Sequence, residues 1–279
     1  MHTIAVVTFK GGSGKTTTSG YLAAYLAQEL QARDGRERRT ILAVDLDHQA
    51  HLTRWMLSRE TFDDLQVDLL PALTQRDVRL ADVIVRSDWP GIDLAPSSSN
   101  LGAADLVMAG MTKREERLRQ ALAGVADTYR FAVLDCPPTS GLITLNAVAA
   151  ADYILAPVEA GNFSLAGLSD FVSWVETMRD DGVHQARWLA LVPTRYDRTV
   201  AISREMIEVL NEVSGHLPGA EVLEPIPRRI GQERMVAARR VAAGNEVPDV
   251  AQAYRHMARR VLQRLEPVAL MEDAHAQGA

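Results

Sequence analysis

Only three of the 30 basic residues in this 279-residue chain are lysine; the other 27 are arginine. Two of the lysines stand five positions apart in Phe9-Lys10-Gly11-Gly12-Ser13-Gly14-Lys15-Thr16-Thr17, and the third is Lys113. Lysine kept where arginine is the rule points to a place that needs a compact point charge. The stretch follows the apolar run Ile4-Ala5-Val6-Val7 and opens a helical pattern at Lys15. Glycines there let the backbone turn its N–H groups inward around a phosphate chain, and a helix N-terminus adds a favourable dipole. Lys15 is spaced to reach the β- and γ-phosphates of a nucleoside triphosphate, and the Thr16 hydroxyl to ligate Mg²⁺. Phe9 stands where the general pattern G-x-x-x-x-G-K-[ST] has its first glycine, and Lys10 is an extra cation.

Two apolar runs end in carboxylates, Leu42-Ala43-Val44-Asp45-Leu46-Asp47 and Phe131-Ala132-Val133-Leu134-Asp135. Acids at the carboxyl edge of parallel strands beside a phosphate loop are where phosphoryl transfer needs them. Asp45 and Asp47 point the same way, because strand side chains repeat every two residues. Asp135, followed by Cys136-Pro137-Pro138-Thr139, has the Walker-B arrangement that binds Mg²⁺ directly or through water. His48 and His51 lie close enough to raise a metal reading, but Mg²⁺ chemistry already accounts for the carboxylates, so capping or surface roles are expected. Cys136 has no histidine partner in its motif and reads as a buried structural residue.

The K-G-G-x-G-K-T-T stretch resembles the deviant Walker-A ATPases of the ParA/MinD group. That resemblance implies an ATP-bound sandwich homodimer in which Lys10 reaches the partner's nucleotide. It assigns Lys10, Gly11, Gly12, Ser13, Gly14, Lys15, Thr16 and Thr17 to ATP, and Thr16, Asp45 and Asp135 to the Mg²⁺ shell. Asp47 would position or activate the attacking water, making Lys10, Lys15 and Asp47 the catalytic set. The family's D-x-D-P-Q-G-N is altered here, with His48, Ala50 and His51 in place of proline, glycine and asparagine. The segment from Gly141 through Asn146 to Asp152 resembles the family's relay from nucleotide to dimer face. The loops Pro193-Thr194-Arg195-Tyr196-Asp197 and Pro225-Ile226-Pro227-Arg228-Arg229 resemble those around the adenine, which implies Pro227 and Arg228 as base contacts. ParA dimers bind double-stranded DNA without sequence preference through a carboxyl-terminal basic surface, and a ParB-like or other partner stimulates slow hydrolysis. Carried onto this chain, the DNA face would comprise Arg198, Arg204, Arg228, Arg229, Arg234, Arg239 and Arg240.

These groups need a scaffold. Apolar runs expected as strands are 3–9, 40–46, 91–95, 131–135, 153–158, 188–192 and 221–226. They alternate with helical patterns at 15–33, 113–127, 142–151, 165–178, 201–213 and 230–243. Continuous apolar runs suit strands buried on both faces, and the alternation predicts right-handed βαβ units in an α/β, doubly wound, mostly parallel sheet flanked by helices. One ATPase domain over 1–266 is expected, with a frayed tail at 267–279. Residues 52–90, broken by Pro71 and Pro90, read as a surface excursion, and 33–39 as a solvated charged connector.

A net charge of −6 argues at first against nucleic acid as a partner. Yet residues 226–265 hold nine arginines against three acids, so that stretch is +6 and the remainder −12. Clustered arginine is the footprint of phosphate-backbone contact, and no helix-turn-helix extension precedes Thr3. Val250, Tyr254, Met257, Val261 and Leu265 form a stripe at helical spacing. It reads as core rather than a MinD-like membrane anchor, because Glu272 and Asp273 follow where a lipid anchor wants cations. A single cysteine, no leader before Thr3 and no run of about 18 apolar residues place the chain in the cytoplasm, with nucleoid association implied by the resemblance.

Overall fold

The computed structural model describes residues 1–35, 39–159, 164–229 and 247–267. Its strands are β1 (His2–Val6), β2 (Ile41–Asp45), β3 (Val85–Arg86), β4 (Ile92–Ala95), β5 (Phe131–Asp135), β6 (Tyr153–Glu159), β7 (Arg187–Thr194) and β8 (Glu221–Val222). They form an 8-stranded sheet in the order β3-β4-β2-β5-β1-β6-β7-β8. Every pairing is parallel except the antiparallel β3–β4 edge. From β1 the chain travels to one side, returns through β5, and then leaves on the other side through β6. The carboxyl end of β1 therefore sits at the reversal of strand order, where open α/β sheets bind ligands.

The helices of the first half are α1 (Lys15–Asp34), α2 (His51–Met56), α3 (Arg59–Asp63), α4 (Leu70–Thr74), α5 (Leu80–Val83) and α6 (Ala104–Ala109). Those of the second half are α7 (Arg117–Ala123), α8 (Leu142–Ala150), α9 (Ser164–Asp180), α10 (Ala201–Gly215) and α11 (Pro248–Leu265). The sheet is buried on both faces, as its continuous apolar runs require. On one face Ile4, Val6, Ala43 and Val133 pack with α1, α2 and α11. On the other, Ala5, Leu42, Leu134 and Ile154 pack under α4 to α10. The apolar stripe Val250, Tyr254, Met257 and Val261 of α11 is buried in the first layer, where Tyr254 stacks on Tyr21 of α1 with centroids 4.4 Å apart. The core role expected of that stripe holds.

Local chemistry sets the element ends. Gly14 at φ 87° starts α1 and Gly35 at φ 65° ends it, its N–H donating to the Gln31 carbonyl. The helix expected over 113–127 is shorter, because Lys113 is left-handed at φ 52° and residues 114–116 form only a 3₁₀ turn before α7. Strand β8 stops at Val222, short of the expected 226, although Ile226 N–H still donates to the Pro193 carbonyl at 2.8 Å.

Residues 52–90 are not a mere surface excursion. Leu52, Trp55 and Met56 enter the first core layer, and Leu69, Leu73, Leu80 and Val83 the second. Trp55 lies so close to α1 that a Cβ on Gly20 would fall 2.3 Å from its ring, so only glycine fits there. The helix expected over 230–243 lies outside the described residues, as do Arg234, Arg239 and Arg240, part of the 33–39 connector and the tail from 268.

Candidate functional site

The turn from β1 into α1 forms a cradle. Gly12 and Gly14 take φ of 76° and 87°, the left-handed values that turn backbone N–H groups to one side. Thr194, at the end of β7, donates its hydroxyl to the Ser13 carbonyl at 2.7 Å and ties the loop across β6. The Lys15 ammonium is buried and donates to the Lys10 carbonyl at 2.8 Å. Burial lowers its pKa, against the opposing pull of Asp135 and Asp47. Lys15 is thus a cation held inside the loop without a carboxylate in direct contact among the described residues, positioned for an incoming anion.

Asp45 and Asp135 are register partners on β2 and β5, side by side and wholly buried. Burial pushes both carboxyls above the ordinary range, and at Asp135 the charge of Asp45 adds to the effect. Their hydrogen bonds separate their roles. Asp45 Oδ1 accepts from Asp47 N–H at 3.1 Å, and Oδ2 accepts from both the Thr53 N–H and hydroxyl at 2.8 and 2.7 Å. Both of its oxygens therefore brace the chain that carries Asp47. Asp135 Oδ1 accepts from Ser19 Oγ at 2.9 Å, whereas buried Oδ2 has no hydrogen-bond partner among the described residues. The hydroxyls of Thr16 and Ser19 and the charge of Lys15, all close to this carboxylate, oppose the upward push.

A buried carboxylate oxygen without a partner costs free energy, about 1–3 kcal/mol or more for a charged group, unless something fills its place. Thr16 and the Asp135 oxygen left without a partner among the described residues fit Mg²⁺, which takes few protein ligands and keeps several waters. No cluster of three or more His, Cys, Asp or Glu side chains suited to a metal occurs among the described residues.

Asp47 sits at the rim, 8 % exposed, and accepts from Gln49 N–H at 3.0 Å in an Asx turn. His48 Nδ1 lies 3.5 Å from the same oxygen, and its Nε2 contacts Gln49 Nε2 at 2.8 Å. His51 is the exposed first residue of α2. The turn keeps a left-handed residue at Ala50, φ 54°, where the family motif has glycine. The substitution therefore keeps the loop's shape at the cost of strain.

Lys10 does not point to its own cradle. Its ammonium pairs with Glu159 Oε2 at 3.0 Å, and Arg195 pairs with Oε1 at 3.1 Å. Burial alone would raise the Glu159 carboxyl, but Lys10 and Arg195 hold it below the ordinary range. Arg195 is left-handed at φ 51°. Arg228 N–H donates to the Tyr196 carbonyl at 2.9 Å, and Tyr196 bridges Pro227, so the two carboxyl-edge loops meet. Sequence reasoning missed Glu159, Ser19 and Thr53, and named Thr194 only within a loop expected around the adenine. Only Ser19 had a signal, one helical turn after Lys15; Glu159 and Thr194 are brought together by the register of β6 and β7, and Thr53 reaches Asp45 from the first turns of α2.

The arginines sort into two groups. Arg198 and Arg228 have no carboxylate partner among the described residues, Arg204 donates to the Arg198 carbonyl at 3.0 Å, and Arg229 pairs with Asp249. On α11, Arg259 pairs with Glu29 at 2.9 Å, Arg260 and Arg264 share Glu221, and Arg255 lies over the Tyr25 ring at 5.3 Å. Cys136 is buried with its thiol pushed up by burial, as its structural reading requires.

Residues 1–186 match the family model described as an AAA domain. The chain is 30 % identical over 227 residues to the chromosome partitioning protein ParA of Myxococcus xanthus, covering 81 % of this chain and 75 % of that one. It is 34 % identical over 203 residues to the cell division protein PomZ of the same organism, covering 72 % of this chain and 60 % of that one. Its fold matches a solved structure of cobyrinic acid a,c-diamide synthase from Mycobacterium smegmatis with bound ADP and magnesium. There the TM-score is 0.76 and the identity 27 %, with 95 % of each chain covered.

Proposed function

This chain belongs to the ParA/MinD family of deviant Walker-A partition ATPases, and from that premise we propose that it works as a ParA-like switch. In this reading ATP with Mg²⁺ assembles a homodimer, the dimer binds double-stranded DNA without sequence preference, and a ParB-like or other partner stimulates hydrolysis and release. The domain over 1–266 acts as one ATPase unit in the cytoplasm, on the nucleoid, and positions a DNA or protein cargo. The observation that carries the reading is Asp135 Oδ2, without a partner among the described residues, beside Thr16 and the buried Lys15 at the carboxyl end of β1.

The residues divide the work. Backbone N–H groups of residues 11–17 cradle the phosphates, and Lys15 exchanges the Lys10 carbonyl for β- and γ-phosphate oxygens. Thr16 and Asp135 would hold Mg²⁺, which when bound would supply charge that neutralises the phosphates. Asp45 acts as a brace in that shell, fixing the turn that presents Asp47. Asp47 orients the attacking water, and Lys10 leaves Glu159 to stabilise the transferred charge across the dimer. Pro227 and Arg228 close on the base. DNA contact falls to Arg198, Arg204, Arg228 and Arg229, with Arg234, Arg239 and Arg240.

Asp47→Ala should keep ATP-dependent DNA binding while phosphate release falls to background. Loss of both activities would make Asp47 structural and defeat its assignment. A MinD-like membrane regulator was the alternative expectation, and burial of the α11 stripe counts against that helix as an amphipathic anchor. Likeness to the diamide synthase favours a metabolic ligase as the second reading. A ligase would release phosphate only with an acid acceptor, whereas the partition reading expects release stimulated by DNA and a partner.

A further inference from the structure

Away from the nucleotide edge, a cavity of about 360 Å³ opens between α7 and the turn joining α4 to α5. It shares no residue with the phosphate cradle or the carboxyl ends of β2 and β5. Its size lies within the range of small-molecule sites. Its wall carries three guanidinium groups, Arg76, Arg79 and Arg117, and two carboxamides, Gln75 and Gln120; the nearest acids are Asp82, held by Arg79, and Glu116, whose Oε2 accepts from Gln120 Nε2 at 3.5 Å.

The three arginines differ in what already holds them. Arg79 is engaged by Asp82 at 2.6 Å. Arg117 is anchored by its Nε, which donates to the Leu73 carbonyl at 2.8 Å, and its Nη1 lies 3.5 Å from Gln120 Oε1. Neither Arg117 nor Arg76 has a carboxylate partner among the described residues. One guanidinium is thus fixed by the backbone with donors remaining, and a second lines the same cavity from an exposed turn. Guanidinium forks match planar or tetrahedral oxyanions through paired N–H donors, and concave walls strengthen the field they make.

We propose that this cavity is a second ligand site, built for a small dianion such as a phosphate or a short dicarboxylate. Arg117 and Arg76 clamp the charge, and Gln75 and Gln120 orient the remaining oxygens. The site is independent of the ATPase reading, because none of its residues belongs to that machinery.

The test uses the full chain saturated with a non-hydrolysable ATP analogue and Mg²⁺, so that the phosphate cradle is filled through its γ position. Inorganic phosphate and glutarate are titrated separately by calorimetry, which distinguishes the two sources of the dianion. One equivalent should bind, with Kd of about 1 mM or tighter. Arg76→Gln should weaken it at least about 10-fold, a loss of roughly 1.4 kcal/mol, with ADP affinity unchanged. Arg117→Lys, which keeps the charge but loses the fork, should weaken it as well. Absence of binding by both anions would overturn the proposal, as would equal affinity in Arg76→Gln. So would binding that appears only when the nucleotide is left out, which would move the anion to the cradle. Binding of an oligo-glutamate peptide by a chain that ignores both small anions would also overturn it, in favour of a protein-docking surface.

Discussion

The carboxyl edge around β1 and the carboxyl-terminal helix α11 are both rich in charge, yet they are built on opposite principles. At the edge, polar atoms are buried ahead of any partner: Asp135 Oδ2 and Ser13 Oγ have none among the described residues, and Lys15 is satisfied only by its own loop. On α11, each described arginine from 255 to 264 meets an acid, a carbonyl or an aromatic ring of the same chain. The first region holds polar groups ready for a ligand, and the second spends its charge on holding the fold. A +6 stretch is therefore not a +6 surface: Glu29 and Glu221, which answer those arginines, lie outside it.

The largest effect should come from removing the ligand-facing cation. Lys15→Ala should reduce phosphate release by about 100-fold or more, with the melting temperature held within about 2 °C. A chain that unfolds instead would show that Lys15 stabilises the fold, and the contrast would collapse. Next is the seam between α1 and α2. Gly20→Ala drives a Cβ into the Trp55 ring and should cost about 1–3 kcal/mol, read as a lower midpoint in urea, while the remaining folded protein binds ADP with its usual affinity.

A smaller, pH-dependent loss is expected at His184, a matched polar group of the same kind as the α11 arginines. Its Nδ1 accepts from Ala186 N–H at 3.1 Å, so Nε2 carries the proton and donates to the Val175 carbonyl at 2.9 Å. Burial lowers its pKa, so the folded chain takes up the second proton, at Nδ1, less readily than the unfolded chain. Its contribution is complete above the unfolded value of about 6.5 and declines as pH falls, by at most about 1.4 kcal/mol per unit. Urea unfolding at pH 7.5 and 5.5 should show a larger drop for the native chain than for His184→Gln. The smallest effect belongs to Arg260→Gln: its pair with Glu221 is half exposed, so stability should fall by less than about 1 kcal/mol. DNA affinity should stay unchanged, whereas a marked loss would return α11 to the DNA face.

Much of this was legible in the sequence, for identifiable reasons. The phosphate loop is local, so its spacing fixed the cradle, and β5 is observed over the residues expected for it. The pairing of Asp45 with Asp135 depends on the register between β2 and β5, which no local pattern encodes. The link from Lys10 to Glu159 likewise spans the turn after β1 and the far end of β6. The helices between 52 and 90 are four to six residues long, too short for a helical period to emerge, so their burial was missed. Arginine partners were invisible because most of the acids that neutralise them lie 39 to 230 positions away.

Whether nucleotide held at the edge switches DNA binding on is read from a gel shift with ATP or ADP across a salt series. A shift is expected with ATP and Mg²⁺ whose affinity falls steeply as salt rises, as phosphate contacts by arginine require, with little or none in ADP. Equal binding in both nucleotides would contradict it.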